Sequence, residues 1–587
     1  MGISRKEWPT LASRPQSSRV LFSNLRFDIV YGLLLLILGI FIVRLFYIQV
    51  IKHDEYRAAA LQGQLKEYEI PAERGVIEAY DGDNVVPIVL NQEVYTLFAD
   101  PLFIKEPKDT AEKLAKITGA NPSEYQDKIR VDTRYAVLAK RLDAKKKEEI
   151  EKLNIKGVGL RAESIRVYPQ GSLAAQLLGF VNDEGKGTYG LEQFLDEKLR
   201  GSPGQLKAIT DARGVPLVSN SNNVLKDPVS GQRVRMTIDI GMQRKVEDML
   251  QQHLPTVRAK SGSVVVMDPN TGAIKAMANW PSYNPADFSK VSDPSLFTNP
   301  AVSSPFEIGS VMKTLTVAAG LNAGVVNKNT TFYDPAKIPI DGSTITNVEE
   351  DGGPQTRSIS DILRFSLNTG AVYILKQLGG GEVNEKARNA WYDYMSNHYR
   401  FGKKTGIEQG YEAEGSIPDP NNGYGLNLQF ANSAFGQGMT ATPLQMAAAF
   451  SSTINGGVYY KPHLVETPDK KGEVVNPDVI KPDISEQLRQ MHENSVNMTY
   501  PFVDRAGYRI GGKTGTAEVP NPQGGYYKDR YNGTFIGYVG GDKPEYVIFV
   551  RINEPVVDFY AGTAAAAPLF GKVAGMLIDN FSVRPSS

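Results

Sequence analysis

Apolar and polar positions along the 587-residue chain follow three successive patterns. The first is one almost unbroken apolar run, 'IVYGLLLLILGIFIVRLFYIQVI' over 29–51, interrupted only by Tyr31, Arg44, Tyr47 and Gln49. As a helix it would rise about 34 Å, enough for a bilayer hydrocarbon core of about 30 Å. Arg44 falls within snorkelling reach of the far interface. A cleaved signal peptide would have a shorter apolar stretch and a small-residue cleavage site, which 'YIQVIKHDEYR' does not offer. The second pattern, over 52–230, mixes both periods and predicts an α+β module. Within it 'AKRLDAKKKEEIEKLN' reads as a polar surface helix with a solvated charge run. At 'NSNNVLKDPVSGQRVRMTID' the composition turns to Asn, Ser, Gly and Pro, which predicts a domain boundary near 225–235. The third pattern fills 231–587. There 'GSVVVMD' and 'AIKAMAN' flank 'PNTG', and 'GTFIGYV' and 'EYVIFVRI' flank 'GGDKP', two antiparallel hairpins by their turn residues. A helical tail, 'GTAAAAPLFGKVAGMLIDNF', follows. Strands at both ends with helical runs between them predict one antiparallel sheet flanked by helices.

Charge sets the topology and removes one class of partner. Arg5, Lys6, Arg14, Arg19 and Arg26 precede the apolar run against Glu7 and Asp28. That bias predicts a cytoplasmic tail over 1–28, a single transmembrane helix over 29–51, and everything beyond on the far side. Lys plus Arg and Asp plus Glu are both 65, so the electrostatic basis for binding nucleic acid is missing. Cysteine is absent, which excludes disulfides, a thiolate nucleophile and Cys-ligated metal. The histidines, His53, His253, His398, His463 and His492, are scattered and none has H-E-x-x-H spacing. Neither a metal nor a cofactor is expected.

Candidate chemistry begins at 'NPAVSSPFEIGSVMKTLTVAAGLNAGVV', residues 299–326. Ser310 is followed three places on by Lys313, which puts both on one helix face. Ser310 is outside any G-x-S-x-G elbow, so a serine nucleophile here needs a base other than histidine. A lysine serves if burial and a neighbouring positive charge favour its neutral amine. Alternatively Ser310 is only a helix N-cap and Lys313 a solvated charge. This S-x-x-K is the only one in the chain. Its companions in penicillin-binding proteins and class A β-lactamases are S-x-N and K-T-G. Serine-x-asparagine occurs at Ser221 and Ser282, both before Ser310, at Ser366, and at Ser495, close before the lysine triad; Ser366-Leu367-Asn368, at a junction of two helical runs, suits a short loop presenting two polar side chains. K-T-G occurs at Lys404 and at Lys513. The second copy, in 'YRIGGKTGTAEV', alternates like an edge strand and is followed by Thr516; the first reads as a turn. The order is then S-x-x-K, S-x-N, K-T-G at 310, 366 and 513.

With these motifs the chain resembles a class B penicillin-binding protein, a membrane-anchored monofunctional peptidoglycan transpeptidase. The resemblance runs from the apolar span nearly to the last residue. 'AERGVIEAYDGD' and 'RVYPQGSLAAQLLGFVNDEGKGTYGLEQFLDEKLRG' resemble the family's pedestal, and 'VVVMDPNTGAIKAMANWPSYNP', 'FGQGMTATPLQMAAAF' and 'GGKTGTAEV' its transpeptidase core. Ala79-Tyr80, Pro300 and Ile308 depart from the family's usual Asp-Arg, N-R-A and E-P-G-S. The resemblance implies a penicillin-binding/β-lactamase-like fold over 231–587 and a dimerisation-like pedestal over 52–230. It implies that Ser310 attacks the D-Ala–D-Ala bond of a stem peptide, with Lys313 as base. Ser366 would relay a proton, and Asn368 would orient the peptide and the lysine. Lys513, Thr514, Gly515 and Thr516 would bind the terminal carboxylate, and the backbone N–H groups of Ser310 and Thr516 would form the oxyanion hole. β-Lactams would acylate Ser310. No glycosyltransferase module fits into 52–230. The compact 'LGFVNDEGKGTYGLE' and the absence of appended C-terminal repeats favour the division-type, FtsI-like branch over the elongation type. Such an enzyme would act in septal cell-wall synthesis from the cytoplasmic membrane, with an FtsW-type glycosyltransferase and small bitopic division proteins as partners. A β-lactamase or drug sensor, a D,D-carboxypeptidase and a non-catalytic divisome scaffold are the alternatives.

Overall fold

The computed structural model describes residues 25–56, 65–209, 224–347 and 353–587. The basic residues of the N-terminal tail up to Arg19, and Ser221-Asn222-Asn223, lie outside the described residues. The chain divides into two compact units, Met1–Pro71 with Pro203–Pro228, and Ala72–Ser202 with Val229–Ser587. In the first, the helix Leu25–Phe46 continues into a π-turn, Tyr47–Ile51. This is the one helix, among the described residues, long and apolar enough to cross a membrane. The same unit holds a three-stranded antiparallel sheet ordered Leu65–Ile70, Gly204–Ile209, Val224–Lys226. The boundary segment thus begins as a strand, because its apolar stretch pairs with Gly204–Ile209.

The second unit opens with a sheet built on the long strand Asn84–Ala99, which pairs antiparallel with Ile77–Asp81, Ala136–Leu142 and Val158–Val167. Val234–Asp239 adds in parallel to Ile77–Asp81. The polar surface helix expected over 139–154 is shorter than its charge run. Ala139–Leu142 finish a strand, and the helix Ala144–Lys152 starts only where Asp143 caps it by accepting the Lys146 N–H at 2.8 Å. A cap side chain there ends the extended segment and begins the helix in one residue.

The larger sheet runs Ile274–Trp280, Ser261–Met267, Pro544–Asn553, Tyr526–Gly540, Arg509–Pro520, with every neighbouring pair antiparallel. Both expected hairpins and the helical tail are borne out, the tail as Ala567–Asn580 after a π-turn. Its strands read as unbroken apolar runs because both faces are covered. Val264 and Val266 enter one core with Leu250, Phe535 and Phe570; Val265 and Met267 enter the other with Leu315, Leu444 and Phe549. Through that second core passes the helix Lys313–Asn322, nine of whose ten residues are buried. A helix apolar on all sides belongs inside a core.

The same core reaches back to the segment 168–199. Gln176 donates to the carbonyls of Pro281 (2.9 Å) and Leu296 (3.2 Å), Gln409 donates to that of Leu177 (2.8 Å), and Glu247 accepts the Ala174 N–H (2.8 Å). Within that segment Glu192, wholly buried, accepts from Arg74 and from Arg166, each at 2.7 Å, while Arg74 also meets Asp196 at 2.8 Å.

Candidate active site

Gly309, with φ +63°, turns the chain into a short 3-10 segment, Gly309–Met312, that carries Ser310 into the helix beginning at Lys313. No side chain caps the start of either segment. Ser310 Oγ instead lies 2.8 Å from Lys313 Nζ, which weighs against the reading of Ser310 as a cap. Ile308 is fully buried and ordinary in φ, so proline is not required at that position. Pro300 sits at the first turn of a four-residue helix capped by Asn299, a position that suits proline.

Ser366 is held between the helices Ile359–Arg364 and Asn368–Leu378. The first is fixed by a reciprocal cap between Ser358 and Asp361. Ser366 adopts φ +59°, uncommon for a residue with a side chain. That conformation presents both its carbonyl and its hydroxyl to Lys313: Nζ donates to the Ser366 carbonyl and lies 3.1 Å from Ser366 Oγ. From the opposite side Lys513 Nζ reaches the same hydroxyl at 3.0 Å, and also the Thr514 carbonyl at 2.9 Å. Both lysines are almost entirely buried, at 1% and 3% exposure, and they share one serine hydroxyl between them.

Lys513, Thr514, Gly515 and Thr516 lie on Arg509–Pro520, the edge strand of the large sheet. Gly515 faces the nucleophile turn, where a Cβ would come 2.4 Å from Thr534 Oγ1 and 3.1 Å from the Ile308 carbonyl. Thr516 Oγ1 accepts the Gly562 N–H at 3.1 Å. Backbones also press together beside Ser310: Gly309 N–H donates to the Gly436 carbonyl at 3.0 Å, and a Cβ on Gly436 would meet the Gly309 oxygen at 2.1 Å. A cleft of about 1190 Å³ opens over these groups, lined among others by Ser310, Ser366, Asn368, Lys513, Thr514 and Thr516. The structure therefore brings every anticipated residue to one place. Asn368 is set apart in one respect, since its amide donates to the Thr346 carbonyl at 2.9 Å. The other S-x-N copies do not join the site: Ser282 and Ser495 are not among the residues lining the cleft, Ser495 being buried within the helix Pro482–Thr499, and Ser221-Asn222-Asn223 lies outside the described residues. The first K-T-G copy wraps a carboxylate of its own chain, with Thr405 N–H, Thr405 Oγ1 and Gly406 N–H all donating to Glu412.

Sequence reasoning missed several groups around this centre. Phe435 lies with its ring centroid 5.9 Å from Lys313 Nζ. Glu307, one turn before Ser310, accepts from Gly438 N–H (2.9 Å) and Tyr526 OH (3.0 Å), and burial pushes its carboxyl above the usual range. His492 supports the edge strand from behind: it is fully buried, 3.2 Å from the Gly512 carbonyl, and packs edge-on against Phe450. Burial pushes its pKa down from 6.5 to about 4, aided by the charge of Lys513 and opposed by the Gly512 carbonyl. Between those values the unfolded chain binds the proton and the folded chain does not. The resulting stability, about 3 kcal/mol from about 1.4 kcal/mol per unit, is complete above pH 6.5 and is lost as pH falls toward 4. Unfolding midpoints of wild type should therefore drop more steeply over that window than those of His492→Gln; parallel curves would remove His492 as the cause.

A cleft-lining serine backed by a buried lysine beside the edge of an antiparallel sheet, with a second buried lysine facing the first across another serine's hydroxyl, defines a serine-type acyl-transfer site. Two family models match the chain: the penicillin binding protein transpeptidase domain over residues 262–575 and the penicillin-binding protein dimerisation domain over 69–236. The chain belongs to the class B penicillin-binding proteins, and it is a serine-type transpeptidase. It is 30% identical over 586 residues to stage V sporulation protein D of Bacillus subtilis, covering 96% of this chain and 86% of that protein. It is 27% identical to the peptidoglycan D,D-transpeptidase FtsI of Escherichia coli, covering 98% and 95%. Among solved structures, penicillin binding protein 3 of Mycobacterium tuberculosis, complexed with aztreonam, superposes with a TM-score of 0.65 at 27% identity, covering 89% of this chain and 98% of that one.

Proposed function

We propose that this chain is a peptidoglycan D,D-transpeptidase that crosslinks stem peptides through an acyl-enzyme on Ser310. The observation that carries it is the 2.8 Å approach of the buried Lys313 amine to Ser310 Oγ. Burial beside a second ammonium favours the neutral amine, so Lys313 takes the Ser310 proton as Oγ attacks the carbonyl carbon between the two terminal D-alanines. Negative charge developing on the carbonyl oxygen is met by the backbone N–H groups of Ser310 and Thr516. The peptide C–N bond then breaks. Ser366, in contact with both lysines, passes a proton to the departing D-alanine amine. Lys513, Thr514 and Thr516 hold the terminal carboxylate, and Asn368 orients the donor peptide amide. An amine of a neighbouring stem peptide attacks the ester, which forms the crosslink and frees Ser310. β-Lactams follow the first half of this path and stop at the ester.

Residues 1–28 would lie in the cytoplasm, 29–51 in the cytoplasmic membrane, the pedestal over 52–230 and the transpeptidase portion over 231–587 outside. Septal synthesis is the role we favour, with an FtsW-type glycosyltransferase and small bitopic division proteins as partners. The near-complete coverage of a relative named FtsI supports this. A role in sporulation is the second reading, favoured by the 30% identity to stage V sporulation protein D. Depletion separates them: filamentous cells support septation, and normally dividing cells that fail only in spore formation overturn it. For the chemistry, purified protein treated with a fluorescent penicillin should carry a stable label on the peptide containing Ser310. No label on folded protein, together with no turnover of a D-Ala–D-Ala thioester, would overturn the reading.

A further inference from the structure

Behind the edge strand, the helix Pro482–Thr499 ends at Tyr500, a residue outside all three motifs and only 6% exposed. Its ring is fixed edge-on against Phe535 (5.8 Å) and Phe502 (6.2 Å), and the residue still lines the cleft. Its hydroxyl lies 3.0 Å from Thr514 Oγ1 and 3.2 Å from Thr563 Oγ1, where the C-terminal helix begins. Three hydroxyls drawn from three separate elements are thus joined in one chain at the end of the cleft that holds Lys513.

A threonine hydroxyl has one proton, and a carboxylate only accepts. If Thr514 is to donate to a bound carboxylate, the other partner of its oxygen must itself be a donor. Tyr500 stands at hydrogen-bonding distance, whereas Lys513 Nζ is 3.5 Å from the same oxygen and already reaches Ser366 and the Thr514 carbonyl. We propose that Tyr500 is a positioning residue for recognition of the substrate carboxylate. Its O–H donates to Thr514 Oγ1, its oxygen accepts from Thr563, and the Thr514 proton is left aimed into the cleft. Each donor in such a chain polarises the next and strengthens the last bond, the one made to the ligand. The sharp ring packing makes this arrangement permanent rather than induced by ligand. This proposal rests on the reading of Lys513, Thr514 and Thr516 as the carboxylate site.

The test compares acylation rates of the full chain with benzylpenicillin and with its methyl ester, which lacks the charge. Wild type should favour the free acid. Tyr500→Phe keeps the ring and removes the hydroxyl, and should lower that preference about tenfold, chiefly through the free acid. Thr563→Val, at the far end of the chain, should shift the preference in the same direction by less. A purely structural role would slow both compounds alike and leave the ratio unchanged, which would overturn the proposal. A wild-type chain that takes acid and ester equally would overturn the carboxylate site itself, and the proposal with it.

Discussion

Exchanging Lys313 for alanine should slow acylation by a fluorescent penicillin about 100- to 10,000-fold, the range typical for loss of a general base. Two effects would be mixed in that number. Lys313 is 1% exposed, so truncation removes the base and also opens a cavity beneath Ser310 and Ser366. Lys313→Met separates them, since it keeps most of the volume and discards only the amine. Equal losses in the two variants would assign the effect to proton transfer. A loss in alanine alone would make Lys313 a packing residue, and acylation within tenfold of wild type in both would mean that another group takes the Ser310 proton.

The largest expected effect on stability lies far from that chemistry, at Glu192. It is fully buried and is the common partner of Arg74 and Arg166, whose side chains are only 10% and 3% exposed. Glu192→Ala would leave Arg166 its hydrogen bond to Asn91 (2.8 Å) and Arg74 its ion pair with Asp196. Removing one member of a buried ionic cluster typically costs about 3–5 kcal/mol, because the charges left behind stay desolvated. Local opening would then become more frequent by about 100-fold or more. Amide exchange across 187–200 should accelerate accordingly in Glu192→Ala. Unchanged exchange would mean that the two guanidinium groups find water or other partners at little cost.

Much of this was legible in the sequence because it is local. The span needs only length and hydropathy, the hairpins need two apolar runs and a turn, and Ser310 with Lys313 needs only helical spacing. What escaped depends on contacts between distant segments. Arg74 and Glu192 are 118 residues apart, and nothing near either residue announces the other. The left-handed backbone of Ser366, which presents its carbonyl as well as its hydroxyl to Lys313, has no sequence signal, since such residues are usually glycine or asparagine. Tyr500 belongs to no motif and enters the site only because a helix ends beside the edge strand. The expected helix over 139–154 erred for the opposite reason. There a local charge pattern was followed too far, across Asp143, whose cap divides strand from helix.

The glycine contacts constrain how this site can change over generations. A Cβ on Gly436 would strike the Gly309 carbonyl at 2.1 Å, and one on Gly562 would strike that of Gly515 at 2.3 Å. At both places the obstacle is main chain, which cannot move aside as a side chain can. The inner wall of the site is therefore closed to gradual substitution, since even the smallest step, a methyl group, displaces the nucleophile turn or the edge strand. Inherited variation that alters inhibitor response without loss of crosslinking should accumulate instead in the outer wall, at Gln437 and residues 554–560, whose side chains are partly or fully exposed. A library selected for growth under a β-lactam would map that division directly, with the four glycines silent and the outer rim varied.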